Sequence, residues 1–163
     1  MPLVLVRIDD RLVHGQVVIA WGLYLNASKI ILCNDEIAQS EIEKQLFMNA
    51  EEIAPQSLKI SVLTQKETLT SIQSGQYNDD NVILIIESPQ DLLNLVRAGL
   101  NIETVNVGGM HYRHGKRQLA AYIYVNENDI SCFRKLDSKG IQLEGRDVPV
   151  AKKIDIVKQL NQW

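Results

Sequence analysis

Along the chain, short apolar runs rich in β-branched residues alternate with stretches in which apolar side chains recur every three or four positions. The runs predict strands from Leu3 to Ile8, Lys29 to Asn34, Leu58 to Leu63, Asn81 to Glu87, Thr104 to Val107, Leu119 to Val125 and Ile141 to Glu144. The stretches between them predict helices. Gln16 to Leu25 puts Val17, Ala20, Trp21 and Leu25 on one face, and Glu41 to Ile53 repeats Ile42, Leu46, Ala50 and Ile53. From Ser88 to Gly99 the signs converge: a hydroxyl N-cap, Pro89 at the first helical position, Asp91 in the capping-box place and glycine after the last turn. Asp129 to Lys139 ends at Gly140, and Ile154 to Leu160 begins a last helix after Pro149.

Regular alternation of strand and helix implies βαβ units, and therefore an α/β fold with a mostly parallel central sheet and helices on both faces. Leu119 to Val125 follows its predecessor after a short glycine-containing loop, which suits an antiparallel edge. The chain has 163 residues, 45% of them hydrophobic, and no repeat or linker interrupts it, so residues 1–163 are expected to form a single domain. Net charge is −3, which gives no global reason to expect nucleic acid or an anionic membrane as a partner. Cys33 and Cys132 are far apart and form no CxxC pair, as befits reduced core thiols of a cytoplasmic protein. The apolar run before Arg7 is too short for a signal peptide or a membrane span.

In such sheets ligands bind beyond the carboxyl ends of the strands. The first strand delivers Asp9, Asp10, Arg11 and His14 to that edge within RIDDRLVHGQV, residues 7–17, and the fifth delivers GGMHYRHGKR, residues 108–117. All three histidines lie in these two loops. A histidine beside Gly15 at a helix start, with arginines nearby, suits phosphoryl chemistry. The helix N-terminus and guanidinium forks neutralise an anion, and imidazole is a competent nucleophile near neutral pH. Asp9 or Asp10 would hold the other ring nitrogen. Plainer readings stand beside this one: Arg7 and Asp9 as a surface ion pair, Asp10 as a loop cap, and Arg113, Lys116 and Arg117 as a solvated basic loop. His111 and His114 with His14 lack a fourth ligand for zinc, so no metal or cofactor is expected, and no GxxxxGK[ST] motif supports nucleotide hydrolysis.

Three stretches, RIDDRLVHGQV at 7–17, NVGGMHYRHGKRQL at 106–119 and DISCFRKLDSKGIQLEGRDVP at 129–149, resemble the IIB component of the mannose/fructose/sorbose family of the bacterial sugar phosphotransferase system. The resemblance spans essentially the whole chain. It implies a cytoplasmic phosphocarrier whose loop histidine takes a phosphoryl group from the phosphohistidine of the IIA component. The carrier then passes it to a sugar taken up through the membrane IIC and IID subunits, with which it associates transiently. On this resemblance the phosphorylated residue is His14, through Nδ1, and Arg11 is the assisting arginine. Arg7 and Asp10 match further motif positions, while Gly108 and Gly109 belong to the loop facing the active loop. Gly15 and His111 are supporting candidates. Mannose, fructose, sorbose and amino sugars all remain open as substrates, with NVGGMHY similar to the amino-sugar branch; oligomeric state is open too. The alternative from another class is a regulatory phosphate- or anion-binding module in which His14 only donates a hydrogen bond.

Overall fold

The computed structural model describes residues 2–55 and 57–163. Its elements run β1 (Leu3–Asp9), a π-helical segment Gln16–Trp21 that continues into α1 (Gly22–Tyr24), β2 (Lys29–Cys33), α2 (Asp35–Ala38), and α3 (Glu41–Met48) with a 3-10 turn Asn49–Ile53. There follow β3 (Lys59–Leu63), α4 (Gln65–Gln73), β4 (Val82–Ile86), α5 (Pro89–Arg97), β5 (Thr104–Gly109), β6 (Arg117–Ala120) and β7 (Ile123–Val125). The chain closes with α6 (Glu127–Ser138), β8 (Gln142–Gly145), β9 (Ile154–Asp155) and α7 (Ile156–Asn161).

Seven strands form one sheet in the order β3-β2-β4-β1-β5-β8-β9. Neighbours are parallel except β9, which pairs antiparallel with β8. The chain steps one way along the sheet from β1 to β2 to β3, then back the other way to β4, β5 and β8. Right-handed crossovers therefore send the two sets of connections to opposite faces. Two hydrophobic layers result. One packs Val17, Val18, Trp21 and Ile37 against Ile30, Leu32, Ile83 and Ile85. The other packs Leu92, Leu95, Phe133 and Leu136 against Ile31, Leu84, Val105 and Val107. Every residue of β4 is buried, the continuous apolar reading that a strand covered on both faces requires.

Helix caps carry much of the local specification. Ser88 Oγ accepts the Asp91 N–H ahead of Pro89, and Asn126 and Asp129 form a reciprocal capping box at α6. Thr64 and Glu67 do the same for α4. That helix is too polar to show in the hydrophobic pattern, and the T-x-x-E signature is its only clear mark. The stretch from Leu119 to Val125 is not one edge strand. It holds β7 and the end of β6, a separate antiparallel hairpin docked on β5 by two hydrogen bonds of 2.9 Å between Met110 and residues Tyr122 and Tyr124. The antiparallel edge of the main sheet is β9. Ile154 and Asp155 thus belong to a strand, and the last helix starts at Ile156, behind the Asp155 cap.

Phe133 is wholly buried between α6 and the sheet. Phe133→Ala is expected to lower the unfolding free energy by about 3–5 kcal/mol, read by urea denaturation.

Candidate functional site at the carboxyl end of the first strand

Strand parity puts Arg7 and Asp9 on the same side of β1, the side covered by Trp21. Both are fully buried, so they are not the surface pair that sequence alone allows. A lone buried guanidinium would be costly, and here each of its five N–H groups has an acceptor. Nε and Nη2 donate to Asp9 Oδ2 at 3.2 and 3.0 Å. Nη1 donates to Asn106 Oδ1 at 2.7 Å and to the Arg146 carbonyl at 3.1 Å, and Nη2 also donates to the Asp147 carbonyl at 3.0 Å. The guanidinium lies 5.3 Å from the Trp21 ring centre, with Arg146 5.0 Å from the same ring. Trp21 Nε1 donates to the Asp147 carbonyl as well, at 2.9 Å.

Gly108 makes this burial possible. A Cβ there would stand 1.9 Å from Arg7 Cζ. Gly109 is less tight but still close, its would-be Cβ 3.0 Å from Asp9 Oδ1 and 3.1 Å from Arg11 Nε. The two glycines end β5 and make room for the charged cluster. They lie within the strand rather than in the loop after it.

Asp9 is the hub. Its Oδ1 accepts the Arg11 backbone N–H and Nε–H, both at 3.0 Å, and its Oδ2 accepts Arg11 Nη2 at 2.9 Å. His14 Nε2 lies 3.0 Å from the same Oδ2. Burial by itself pushes the Asp9 carboxyl up, but hydrogen bonds from His14 and Arg11 together with the charges of Arg7 and Arg11 outweigh it and hold the group well below the usual carboxylate range. Asp9 is therefore ionised, and an ionised carboxylate only accepts. Nε2 of His14 therefore donates to it, and in the neutral ring the lone pair lies on Nδ1. The side chains of Arg11 and His14 keep 32% and 20% of their surface open to solvent, while Asp9 keeps none.

Backbone conformation aims the histidine. Leu12 is buried and left-handed, with φ 64°, a placement that costs a branched side chain roughly 1–3 kcal/mol. Its N–H donates to the Asp9 carbonyl at 3.0 Å. The sharp turn brings His14 back over Asp9 and starts the helix at Gly15, which has ordinary helical angles. The six residues that follow, Gln16–Trp21, are π-helical, a form that recurs at functional sites.

Asp10 turns to the other side. It accepts the His111 N–H at 2.7 Å and meets the His111 ring Nδ1, tying the β1 and β5 loops together, and it is not the partner of His14. The His111 ring is 62% exposed, and Arg113 and His114 are exposed in the same loop. Lys116 is committed to Asp129 at 3.2 Å. The three histidines do not gather as a metal site among the described residues. A cavity of about 290 Å³ opens beside Arg11, walled by Gly109, His111, Tyr112, Tyr122 and Tyr124.

Residues 3–163 match the family described as PTS system sorbose subfamily IIB component. This chain belongs to that family of phosphotransferase-system IIB components. It is 38% identical to the fructose-specific EIIB component of Bacillus subtilis (strain 168) over 160 residues, covering 98% of this chain and 96% of that protein. It is 36% identical to the mannose-specific EIIAB component of Escherichia coli (strain K12), covering 99% of this chain and 50% of the relative. The crystal structure of the IIBSor domain of the sorbose permease from Klebsiella pneumoniae superposes with a TM-score of 0.91 at 37% identity, covering 99% of this chain and 98% of that one. The family carries a phosphocarrier role in sugar phosphotransfer. No helix among the described residues is long and apolar enough to cross a membrane.

Gly108→Ala is expected to expel Arg7 and break the buried pair, lowering stability by about 3–5 kcal/mol in denaturant titration. A carboxyl held below its unfolded value contributes stability that is full above about pH 4, the unfolded value, and is lost as pH falls toward the folded one. Asp9→Asn is therefore expected to flatten the acid limb of the stability profile, measured by urea denaturation from pH 7 down to pH 3.

Proposed function

We propose that residues 1–163 form one IIB domain that carries a phosphoryl group on Nδ1 of His14, taken from the phosphohistidine of a IIA component and passed to a sugar at membrane IIC and IID subunits. The observation that supports this best is the 3.0 Å contact between His14 Nε2 and the buried Asp9 carboxylate. It fixes the tautomer, leaves Nδ1 as the nucleophile and steadies the imidazolium character that develops when a P–N bond forms. In the first step the Nδ1 lone pair attacks phosphorus, and the P–N bond to the donor histidine breaks with its electron pair returning to the donor ring. In the second, a sugar hydroxyl oxygen attacks phosphorus, the His14 P–N bond breaks, and the hydroxyl proton is released.

Phosphoryl transfer asks chiefly for positioning and charge neutralisation. Arg11 is suited to both. Asp9 and the Gly108 carbonyl occupy Nε and Nη2, which anchors the guanidinium on the same carboxylate that His14 contacts and leaves Nη1 for a phosphoryl oxygen. The amides at the start of the Gln16 helix, behind Gly15, offer further donors. Arg7 is too deeply enclosed to touch phosphate, and its part is to hold Asp9 charged and fixed. Asp10 and His111 brace the facing loop. The domain works in the cytoplasm with transient contact to the membrane subunits, and the transported sugar belongs to the mannose group, including its amino-sugar members.

Incubation with phosphorylated IIA and labelled phosphate is expected to give one acid-labile, base-stable adduct, which mass spectrometry places on His14. His14→Ala abolishes it, and His111→Ala and His114→Ala retain it. A full equivalent of label on His14→Ala would refute the assignment, and no label on the parent chain would favour an anion-binding module. Arg11→Ala is expected to slow transfer about 10²–10³-fold with the fold intact, as for loss of one oxyanion donor. Arg11→Lys recovers only part of the rate, because an ammonium cannot reproduce the fork.

A further inference from the structure

Consecutive carboxylates at the end of β1 hold two different histidines by opposite ring nitrogens. Asp9 meets Nε2 of His14 at 3.0 Å, which leaves Nδ1 open. Asp10 meets Nδ1 of His111 and also accepts the His111 backbone N–H at 2.7 Å, a two-point clip between the loops after β1 and β5. A carboxylate that accepts from Nδ1–H leaves the lone pair of the neutral ring on Nε2. That nitrogen belongs to a side chain that is 62% exposed, while the Asp10 side chain beneath it keeps only 11%. An imidazole oriented through one nitrogen by a carboxylate is the arrangement that takes a proton from an attacking hydroxyl through the other.

The phosphocarrier reaction has such a proton to place. When a sugar hydroxyl attacks phosphorus, the O–P bond forms, the His14 P–N bond breaks with its electron pair returning to Nδ1, and the hydroxyl proton must go elsewhere. In-line displacement puts that hydroxyl on the far side of phosphorus from His14, out of reach of the departing ring. The neighbouring groups are unsuited. Asp9 is buried, engaged through both oxygens and held well below the usual carboxylate range. Both oxygens of Asp10 are occupied by His111, and Lys116 is paired with Asp129. Phenols keep their protons near neutral pH, Tyr122 the more so because burial pushes it up to about 12. His111 is better placed. Of the two histidines in its loop it is the one that walls the cavity of about 290 Å³ beside Arg11. The guanidinium that steadies the phosphoryl group and the free imidazole nitrogen thus border one space, open to an entering hydroxyl.

Resting on the phosphocarrier reading above, we propose that His111 is a second catalytic histidine. Its Nε2, oriented by Asp10, takes the proton of the acceptor hydroxyl as phosphate passes from His14 to the sugar. The imidazolium so formed is steadied by the Asp10 carboxylate and gives its proton to water after the sugar phosphate leaves. The donor step needs no such base, because the attacking Nδ1 of His14 brings a lone pair and no proton. His111 therefore serves one half-reaction and His14 both.

His111→Asn tests this against a purely bracing role, since an Asn amide N–H reaches Asp10 from the place of Nδ1 but brings no basic nitrogen. Asp10→Asn is the second variant, and circular dichroism checks the fold of both. Each chain is loaded by phospho-IIA and then mixed with membranes bearing IIC and IID subunits and, in turn, mannose, fructose, sorbose or N-acetylgalactosamine. Loss of phosphate from His14 is followed in a single turnover. Loading of His111→Asn is expected to stay within about twofold of the parent, because that step moves no hydroxyl proton. Transfer to the sugar that the parent phosphorylates is expected to slow about 10²-fold, the low end for proton transfer, because a loose transition state draws little on a base. Asp10→Asn, which no longer holds the Nδ1–H tautomer, is expected to slow the same step. Transfer by His111→Asn at the parent rate would leave the residue a brace and overturn the proposal. Equal slowing of loading and transfer would make His111 a phosphoryl-binding group and overturn it too, as would a parent chain that loads but passes phosphate to none of the sugars. Failure of the parent to load at all would strike the phosphocarrier reading itself, a result distinct from these.

Discussion

The site depends on a buried carboxylate that is never alone. Asp9 has no exposed surface, yet two guanidinium groups and an imidazole converge on its two oxygens within 3.2 Å. An uncompensated charge in this position would neutralise itself by taking a proton. Compensated, it stays ionised and acts as a fixed acceptor. The geometry of the neighbourhood follows from satisfying it: Arg7 must be buried, β5 must end in glycines to admit Arg7, and the backbone carbonyls of Arg146 and Asp147 must close over the remaining donors.

That requirement links distant parts of the chain. Arg7 and Asp9 come from β1, Asn106 and Gly108 from β5, and Arg146 and Asp147 from the segment after β8. Trp21, on the helical segment that follows the His14 loop, receives two guanidinium groups near its ring and donates to the same Asp147 carbonyl. The histidine at the surface is thus rigid through a series of contacts that reaches under the sheet edge. Rigidity suits a transfer reaction in which the protein supplies orientation and charge rather than a deep pocket. The moderate exposure of His14 and Arg11 fits partners that are themselves proteins.

Asp10 is spent on the His111 loop, while α3 leaves its apolar face outward. A sequence pattern that would normally press a helix onto the sheet is used at the surface instead. The sheet face beneath is filled by the Gln16–Trp21 segment, Ile37 and the inner side chains Phe47, Met48 and Ala50. No room remains for Ile42 and Leu46.

Local chemistry is legible in the order of residues. Strands with continuous β-branched runs, the Ser88–Pro89 helix start, the alternation that demands a parallel sheet, and the gathering of His14 and Arg11 beyond β1 all follow from rules that act within a few residues. So did the family resemblance carried by residues 7–17. What depends on atoms brought together from far along the chain did not follow. The sequence left Arg7 and Asp9 open to a plain reading as a surface pair, because nothing in RIDD tells that Asn106, Gly108, Arg146 and Asp147 will enclose them; strand parity, which puts residues 7 and 9 on one side, was the only hint. The choice of Asp9 over Asp10 as partner of His14, the hairpin of β6 and β7, and the β9 edge likewise depend on packing. The outward face of α3 is the same kind of case: periodicity shows that a helix has an apolar side, but only the occupied space around it decides whether that side meets the core or the solvent.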